Sequence, residues 1–141
     1  MIRLTRQYKF AASHRLHSDA LSEADNHQTY GKCNNPFGHG HDYVLQVVTR
    51  GFVDSRTGQL LNLDGLDEFV GRILLHEFQY CNLNDLDEFK TLVPTTENLA
   101  LVAERRLRDA WPKESPELVG VRILETARNT FESSQVRNDR R

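Results

Sequence analysis

Hydrophobic and polar residues alternate along four stretches of the chain, the pattern of a half-buried β-strand. The first stretch runs from Ile2 to His14 with mostly apolar even positions, and the second begins at His39 with its odd positions on one face. Leu118–Thr126 alternates again, and Thr130–Ser134 can return beside it. On the third strand, the residues predicted to share a face are Val119, Val121, Ile123 and Glu125. We therefore predict two strand pairs, one near each end of the chain.

Two stretches between the strand pairs repeat their apolar residues at helical spacing. Asp64 can cap the first helix, whose inner residues are Leu66, Phe69, Val70, Ile73 and Leu74. The second helix begins at PTTEN, Pro94–Asn98, and Pro112 ends it. Its inner stripe is Leu99, Val102, Ala103, Leu107, Ala110 and Trp111. The element order is ββααββ, which predicts an α+β fold, an antiparallel sheet with two helices on one face.

The composition is that of an ordinary globular domain. The chain has 141 residues, of which 38% are hydrophobic and 27% charged. We expect a single domain over residues 1–134 and a disordered tail over residues 135–141. The net charge of -2 argues against nucleic acid or an anionic membrane as partner. No signal peptide or membrane span is evident, so we expect a cytoplasmic protein whose two cysteines, Cys33 and Cys81, are free thiols.

Three histidines lie where the first two strands would meet. His39 and His41 project from the same face of a strand, about 7 Å apart by strand rise. His14 ends the first strand, so antiparallel pairing brings all three imidazoles together. Three neutral nitrogens suit Zn²⁺ and leave a fourth position open, which is the catalytic form of a zinc site. The alternative is three unrelated histidines, two of them in a glycine-rich turn.

Cys33 precedes this histidine pair and admits several interpretations. It is a fourth zinc ligand that closes the site, a small packed residue, or a thiolate beside the metal that acts as nucleophile or base. The neighbours Gly31, Asn34, Asn35 and Pro36 indicate a shaped loop and disfavour simple packing. Spacing alone leaves ligation and catalysis equally open.

Four segments in order, FAASHRL, YGKCNNPFGHGHDY, PTTEN and ILETARN, resemble the 6-pyruvoyl-tetrahydropterin synthase family, which includes 6-carboxytetrahydropterin synthase. They span Phe10 to Asn129, and the central segment is the most specific. The resemblance implies the tunnelling fold, in which subunits form an oligomeric barrel as trimers or hexamers. The family makes tetrahydropterins in the biopterin and queuosine pathways.

The resemblance also implies a site. Its zinc ligands are His14, His39 and His41, and Cys33 is the proton acceptor. The implied substrate is 7,8-dihydroneopterin triphosphate. Its pterin is anchored by Glu125, with help from Thr95, Thr96 and Glu97. The alternation alone favours an exposed carboxylate near a strand end at Glu125, so its binding role rests on the resemblance.

Two adjacent positions depart from the family pattern. The family carries an Asp-His pair after the first helix, and that histidine relays protons with the cysteine. Here Gln79 and Tyr80 occupy those positions, and neither is a general base at neutral pH. His76 can substitute if the helix carries an extra turn, or it is an exposed residue near a helix end.

Three functions therefore remain open. The first is a zinc-dependent lyase that eliminates triphosphate and makes the 6-pyruvoyl or the 6-carboxy product, with the YGKCNNP loop nearer the pyruvoyl branch. The second is a paralogue that uses the same pocket for other chemistry, such as side-chain cleavage of dihydroneopterin. The third is a non-catalytic pterin-binding protein, which the thiol disfavours because binding alone does not need it.

Overall fold

A computed structural model of the chain describes residues 1–135. The strands are β1 (Ile2–His14), β2 (His39–Gly51), β3 (Glu117–Thr126) and β4 (Asn129–Ser134). The helices are α1 (Glu23–Tyr30), α2 (Leu63–Val70), α3 (His76–Phe78) and α4 (Thr96–Ala110). Of the predicted disordered tail, all but Gln135 lies outside the described residues. No helix within residues 1–135 is long and apolar enough to cross a membrane.

The four strands form one antiparallel sheet in the order β1-β2-β3-β4. β1 and β2 pair along their whole length, from Ile2 opposite Gly51 to His14 opposite His39. The end of β1 therefore meets the start of β2, as the alternation predicts. One face of the sheet packs with the helices into a single apolar core, which confirms the α+β class. Core residues on the strands are Phe10, Ala12, Tyr43, Leu45, Val47, Leu118, Val121 and Ile123.

The two predicted helices are present, with one corrected boundary. Asn62 caps α2 by accepting a hydrogen bond from the Gly65 amide, so the predicted cap at Asp64 is wrong and Asp64 lies in the first turn. The helix continues through a π-helical turn, Gly71–Leu75, into α3. Thr95 caps α4 by accepting from the Asn98 amide.

Two local features differ from the sequence prediction. The helix α1 lies between β1 and β2, where we predicted no helix. It has no apolar stripe, and its one buried residue is Asn26, whose side chain bonds the backbone of Ser18, Leu21 and Ser22. On β3, a register shift opposite Val48 and Thr49 buries Leu118 and leaves Val119 half-buried, out of the predicted face.

A short segment after α3 covers one end of the outer edge of β1. The Tyr80 amide donates to the Ala11 carbonyl at 2.6 Å, and the Ser13 amide donates to the Cys81 carbonyl at 2.9 Å. Ser13 and Asn82 form a parallel bridge. Alternate residues of a strand direct their backbone groups to opposite edges, so the uncovered part of this edge lies between Ile2 and Lys9.

Candidate metal centre

The three predicted histidines converge at the end of the β1–β2 pair. The Nε2 atoms of His14 and His39 lie 3.2 Å apart, and those of His39 and His41 lie 2.8 Å apart. The rings are nearly perpendicular to one another, with centroids 4.6 to 5.0 Å apart. The paired ends of two strands thus direct three imidazole nitrogens at a common point, which excludes the alternative of three unrelated histidines.

A backbone contact sets the orientation of His14. Its Nδ1 lies 2.9 Å from the carbonyl oxygen of Pro94, so this nitrogen carries the proton and donates. In a neutral ring, Nε2 then has a free lone pair, and this is the atom that faces His39. The Tyr43 hydroxyl lies 3.4 Å from the same Nδ1. His14 is 1% exposed, so both contacts are shielded from water.

The protein environment favours neutral imidazoles. Burial lowers the pKa of His14 below its usual value, and the neighbouring His39 and His41 lower it further. Burial also lowers the pKa of His39, with an additional contribution from His41. Neutral rings are required of metal ligands, so the burial that disfavours protonation also favours ligation.

Cys33 lies beside this cluster on a 3₁₀ turn, Gly31–Asn34, that follows α1 directly. Where we expected a loop around Cys33, the structure has a helix followed by a tight turn. The Cys33 carbonyl accepts from the Leu16 amide at 2.8 Å, which ties the turn to the chain after β1. Its thiol lies within 4.8 Å of the ligand nitrogens of His14 and His39. This places the thiol beside the point where the histidine nitrogens converge.

The protein groups alone do not activate the Cys33 thiol. Burial raises the pKa of the thiol above its usual value, and the negative charge of Glu125 raises it further. A thiolate at neutral pH therefore needs a cation close to the sulfur. The ligand nitrogens of His14 and His39 lie within 4.8 Å of the sulfur. A cation bound by these histidines would therefore be close enough to lower the pKa of the thiol.

Glu125 faces the cluster rather than solvent. One carboxylate oxygen, Oε1, lies 3.3 Å from His41 Nε2, and the other, Oε2, accepts a hydrogen bond from the Thr96 hydroxyl. The Glu125 side chain is 20% exposed, and Thr96 is buried at the first turn of α4. Glu125 near the end of β3 is therefore a half-buried carboxylate, and the Thr96 hydroxyl donates to one of its two oxygens.

The other two residues of the predicted binding stretch have different surroundings. The Thr95 hydroxyl is occupied as the cap of α4. Glu97 is exposed in the first turn of this helix, and within residues 1–135 no hydrogen bond or ion pair joins it to the histidines or to Glu125. Of PTTEN, it is the carbonyl of Pro94 and the hydroxyl of Thr96 that contact the site.

The donor set fits a zinc ion. Two nitrogens about 2.0–2.1 Å from a tetrahedral zinc lie about 3.3 Å apart. The His14–His39 separation of 3.2 Å is close to this value, and the His39–His41 separation of 2.8 Å is shorter. Two combinations of side chains bring their ligand atoms within 4.8 Å of one another: His14 with Cys33 and His39, and His14 with His41 and Glu125. Imidazole nitrogens suit zinc among the divalent metals, while the thiol and the carboxylate each offer a further ligand.

The positions that depart from the family pattern do not reach this cluster within the described chain. Gln79 Oε1 accepts from the Ala11 amide at 2.7 Å, so its side chain helps to cover the β1 edge. Tyr80 is 83% exposed and has a left-handed backbone with φ of 59°. His76 is also exposed, and its ring lies over Gly71, with Nε2 3.3 Å from where a Cβ would stand.

Sequence reasoning missed two residues that orient His14. Pro94 was assigned only to the start of a helix, and Tyr43 only to the apolar face of β2. A backbone carbonyl has no side-chain signature, so nothing in the pattern identified Pro94. The sequence did place Tyr43 two residues after His41 on the same face, and this spacing was a usable signal.

Comparison with known proteins agrees with this geometry. The model of the 6-pyruvoyl tetrahydropterin synthase family matches residues 3–135. The chain is 42% identical over 128 residues to the 6-pyruvoyl tetrahydrobiopterin synthase of Drosophila melanogaster, covering 89% of this chain and 75% of that protein. It is 41% identical over 127 residues to the enzyme of that name from Poecilia reticulata, covering 89% and 85% of the two chains.

A solved structure shows the same fold. The 6-pyruvoyl tetrahydropterin synthase of Caenorhabditis elegans superposes with a TM-score of 0.89 at 39% identity, covering 96% of each chain. This similarity confirms the predicted fold of the single chain.

Proposed function

Because the chain belongs to the 6-pyruvoyl tetrahydropterin synthase family, we propose that it is a zinc-dependent lyase that eliminates triphosphate from 7,8-dihydroneopterin triphosphate. The observation that carries the proposal is the convergence of His14, His39 and His41 beside the Cys33 thiol and the Glu125 carboxylate. The relatives are named for the 6-pyruvoyl product, and we propose that product over the 6-carboxy one.

His14, His39 and His41 would hold the zinc, with the Pro94 carbonyl keeping Nε2 of His14 available. When bound, zinc supplies Lewis-acid chemistry that acidifies protons beside the hydroxyls of the substrate side chain. The three histidines are the whole of the proposed ligand set, so one coordination position stays open for substrate.

Cys33 would take the proton from a side-chain carbon of the substrate. The electron pair of that C–H bond becomes a carbon–carbon double bond, the adjacent C–O bond breaks, and triphosphate leaves with the electrons of that bond. The remaining side-chain carbinol then loses its carbon-bound proton while the ring C=N bond gains two protons and the electron pair, so the side chain becomes a diketone as the ring is reduced. This two-electron transfer is internal to the substrate, so no external oxidant or reductant is needed. The thiol position beside His14 and His39 supports this role, because the reacting carbon and the metal must be neighbours.

Glu125 would bind the pterin. A carboxylate has two acceptor oxygens, which match the paired amino and ring N–H donors of a pterin edge. The Thr96 hydroxyl holds Oε2, and this contact supports a fixed orientation of the carboxylate. Thr95 and Glu97 are proposed as further binding residues from the family pattern alone.

One observation favours a second candidate. Gln79 and Tyr80 stand where the family carries its Asp-His relay, and the Gln79 side chain is engaged with the backbone of β1. Without the Asp-His pair, proton transfer differs from that of the family. This difference is consistent with a paralogue that shares the zinc and pterin pocket but cleaves the dihydroneopterin side chain.

Incubation of the purified protein with dihydroneopterin triphosphate, with products identified by mass, separates the candidates. Release of triphosphate together with a pyruvoyl pterin supports the synthase. A pterin that has lost side-chain carbons supports the paralogue. Tight pterin binding without conversion of the substrate would support a non-catalytic pterin-binding protein.

A further inference from the structure

A cavity adjoins the cysteine turn, since Gly31, Lys32 and Asn34 are among its lining residues. It has a volume of about 530 Å³, within the range of roughly 300–1,000 Å³ that is usual for small-molecule sites. Its polar lining includes Arg15, His17, Glu23, His27, Lys32 and Asn34. None of these residues belongs to the predicted metal or pterin site.

The lining carries an excess of positive charge. Arg15 and Lys32 are cationic, His17 and His27 are titratable, and Glu23 is the opposing carboxylate. Within residues 1–135, no carboxylate lies within 4 Å of the Arg15 guanidinium or the Lys32 ammonium. His17 does face one acid, since its Nε2 is 3.6 Å from the exposed Asp19. The two permanent cations therefore have their charge available for a ligand.

Hydrogen bonds hold two of these groups in place. Arg15 Nε donates to the Asn34 carbonyl at 3.2 Å, which leaves the terminal nitrogens of the guanidinium without a described partner. The backbone of Arg15 is clamped by Asn84, which accepts from its amide at 2.7 Å and donates to its carbonyl at 3.0 Å. The side-chain nitrogen of Asn34, Nδ2, lies 3.1 Å from His17 Nδ1 and donates to it. In the neutral ring of His17 the proton is therefore on Nε2. These contacts distinguish the cavity from a chance group of surface cations.

The cavity shares its wall with the metal centre. Lys32 and Asn34 line the cavity, while the thiol of the intervening residue, Cys33, lies beside the histidine nitrogens. A ligand whose reacting carbon lies at Cys33 would therefore be next to residues that line this cavity.

We propose that this cavity binds a condensed phosphate, namely the triphosphate arm of the substrate. The identification as the substrate arm rests on the proposed function. Phosphate oxygens match the guanidinium fork of Arg15, the ammonium of Lys32 and the N–H of His17. Because the donors come from separate segments around the cavity, a chain of linked phosphates satisfies more of them than a single phosphate does.

The test is calorimetric titration of the zinc-loaded protein with inorganic triphosphate. Lys32→Gln is the informative variant, because Lys32 is exposed and makes no described side-chain bond, so its loss leaves the fold intact. Lys113→Gln removes the same charge from an exposed turn after α4 and is the matched control. We expect about a tenfold loss of triphosphate affinity in Lys32→Gln, no change in Lys113→Gln, and a gain in Glu23→Gln.

Two results would overturn the inference. Equal losses in Lys32→Gln and Lys113→Gln would show that only the overall charge matters. Triphosphate affinity that falls in His41→Ala but not in Lys32→Gln would place the phosphates on the metal instead.

Parallel titration with phosphate-free dihydroneopterin separates this inference from the proposed function. We expect Lys32→Gln to bind dihydroneopterin as the wild type does. If triphosphate binding depends on Lys32 while no pterin is turned over, the cavity assignment stands and the proposed function is wrong. If the enzyme is active while triphosphate binding ignores Lys32, only the cavity assignment is wrong.

Discussion

Replacement of Cys33 by alanine tests the proton transfer and the ligand set together. The thiol lies within 4.8 Å of the His14 and His39 nitrogens, so it is close enough either to bind zinc or to act beside it. If the three histidines are the whole ligand set, Cys33→Ala keeps about one zinc per chain. Cys33 takes no part in the Glu125–Thr96 contact, so pterin binding should also persist.

The expected loss is in turnover. Removal of a general base slows an enzyme by roughly a hundredfold to ten-thousandfold, which raises the barrier by about 3–5 kcal/mol. The fold should tolerate the change because Cys33 lies on a turn outside the apolar core. Turnover measured by product mass, zinc by elemental analysis and pterin binding by fluorescence would separate the three effects.

Cys81→Ala is the matched control. Cys81 is the other half-buried thiol, and it belongs to neither group of potential metal ligands in the described chain. We expect this variant to keep its turnover. Full activity in Cys33→Ala would refute the base role, and loss of zinc from that variant would make Cys33 a ligand of a structural site.

Three further predictions concern other parts of the molecule. Glu125→Gln should weaken pterin binding as well as turnover, because one acceptor oxygen becomes a donor. Wild-type pterin affinity in titrations would show that Glu125 does not bind the pterin. His76→Ala should turn over normally, since its exposed ring lies over Gly71; a loss equal to that of Cys33→Ala would place it in a relay. Light scattering should detect a trimer or hexamer, because β1 from Ile2 to Lys9 and the whole of β4 are sheet edges; a micromolar monomer would count against barrel assembly.

The alternation of apolar residues was sufficient to predict the sheet and the meeting of the histidines. Because β1 and β2 each have one apolar face, a shift of one residue would expose one of these faces, and the end of β1 was expected to meet the start of β2. The structure pairs His14 with His39. The alternation alone favoured an exposed Glu125, and the family resemblance pointed to an inward one; the structure has its side chain against His41 and Thr96. The alternation did not predict the contacts of the Thr96 hydroxyl and the Pro94 carbonyl with the site. Periodicity along one strand does not identify contacts that come from other elements.

Polar structure was the part that alternation could not reveal. The helix α1 is stabilised by the hydrogen bonds of the buried Asn26 rather than by an apolar stripe, so it has no hydrophobic period. Ser22 followed by Asp25 was the available signal, because the Ser22 hydroxyl accepts from the Asp25 amide as a helix cap. The β-bulge at Val119 and the segment that covers β1 at Ala11 depend on backbone pairing, which side-chain chemistry specifies only weakly.

Zinc dependence of triphosphate release is the most direct test of the central claim. The account predicts that the protein holds about one zinc per chain and releases triphosphate from dihydroneopterin triphosphate. It predicts that chelation abolishes the release and that one equivalent of zinc restores it. His41→Ala, verified as folded, should neither hold zinc nor recover activity at that concentration. Undiminished triphosphate release from the chelated protein, or full zinc in His41→Ala, would contradict the account.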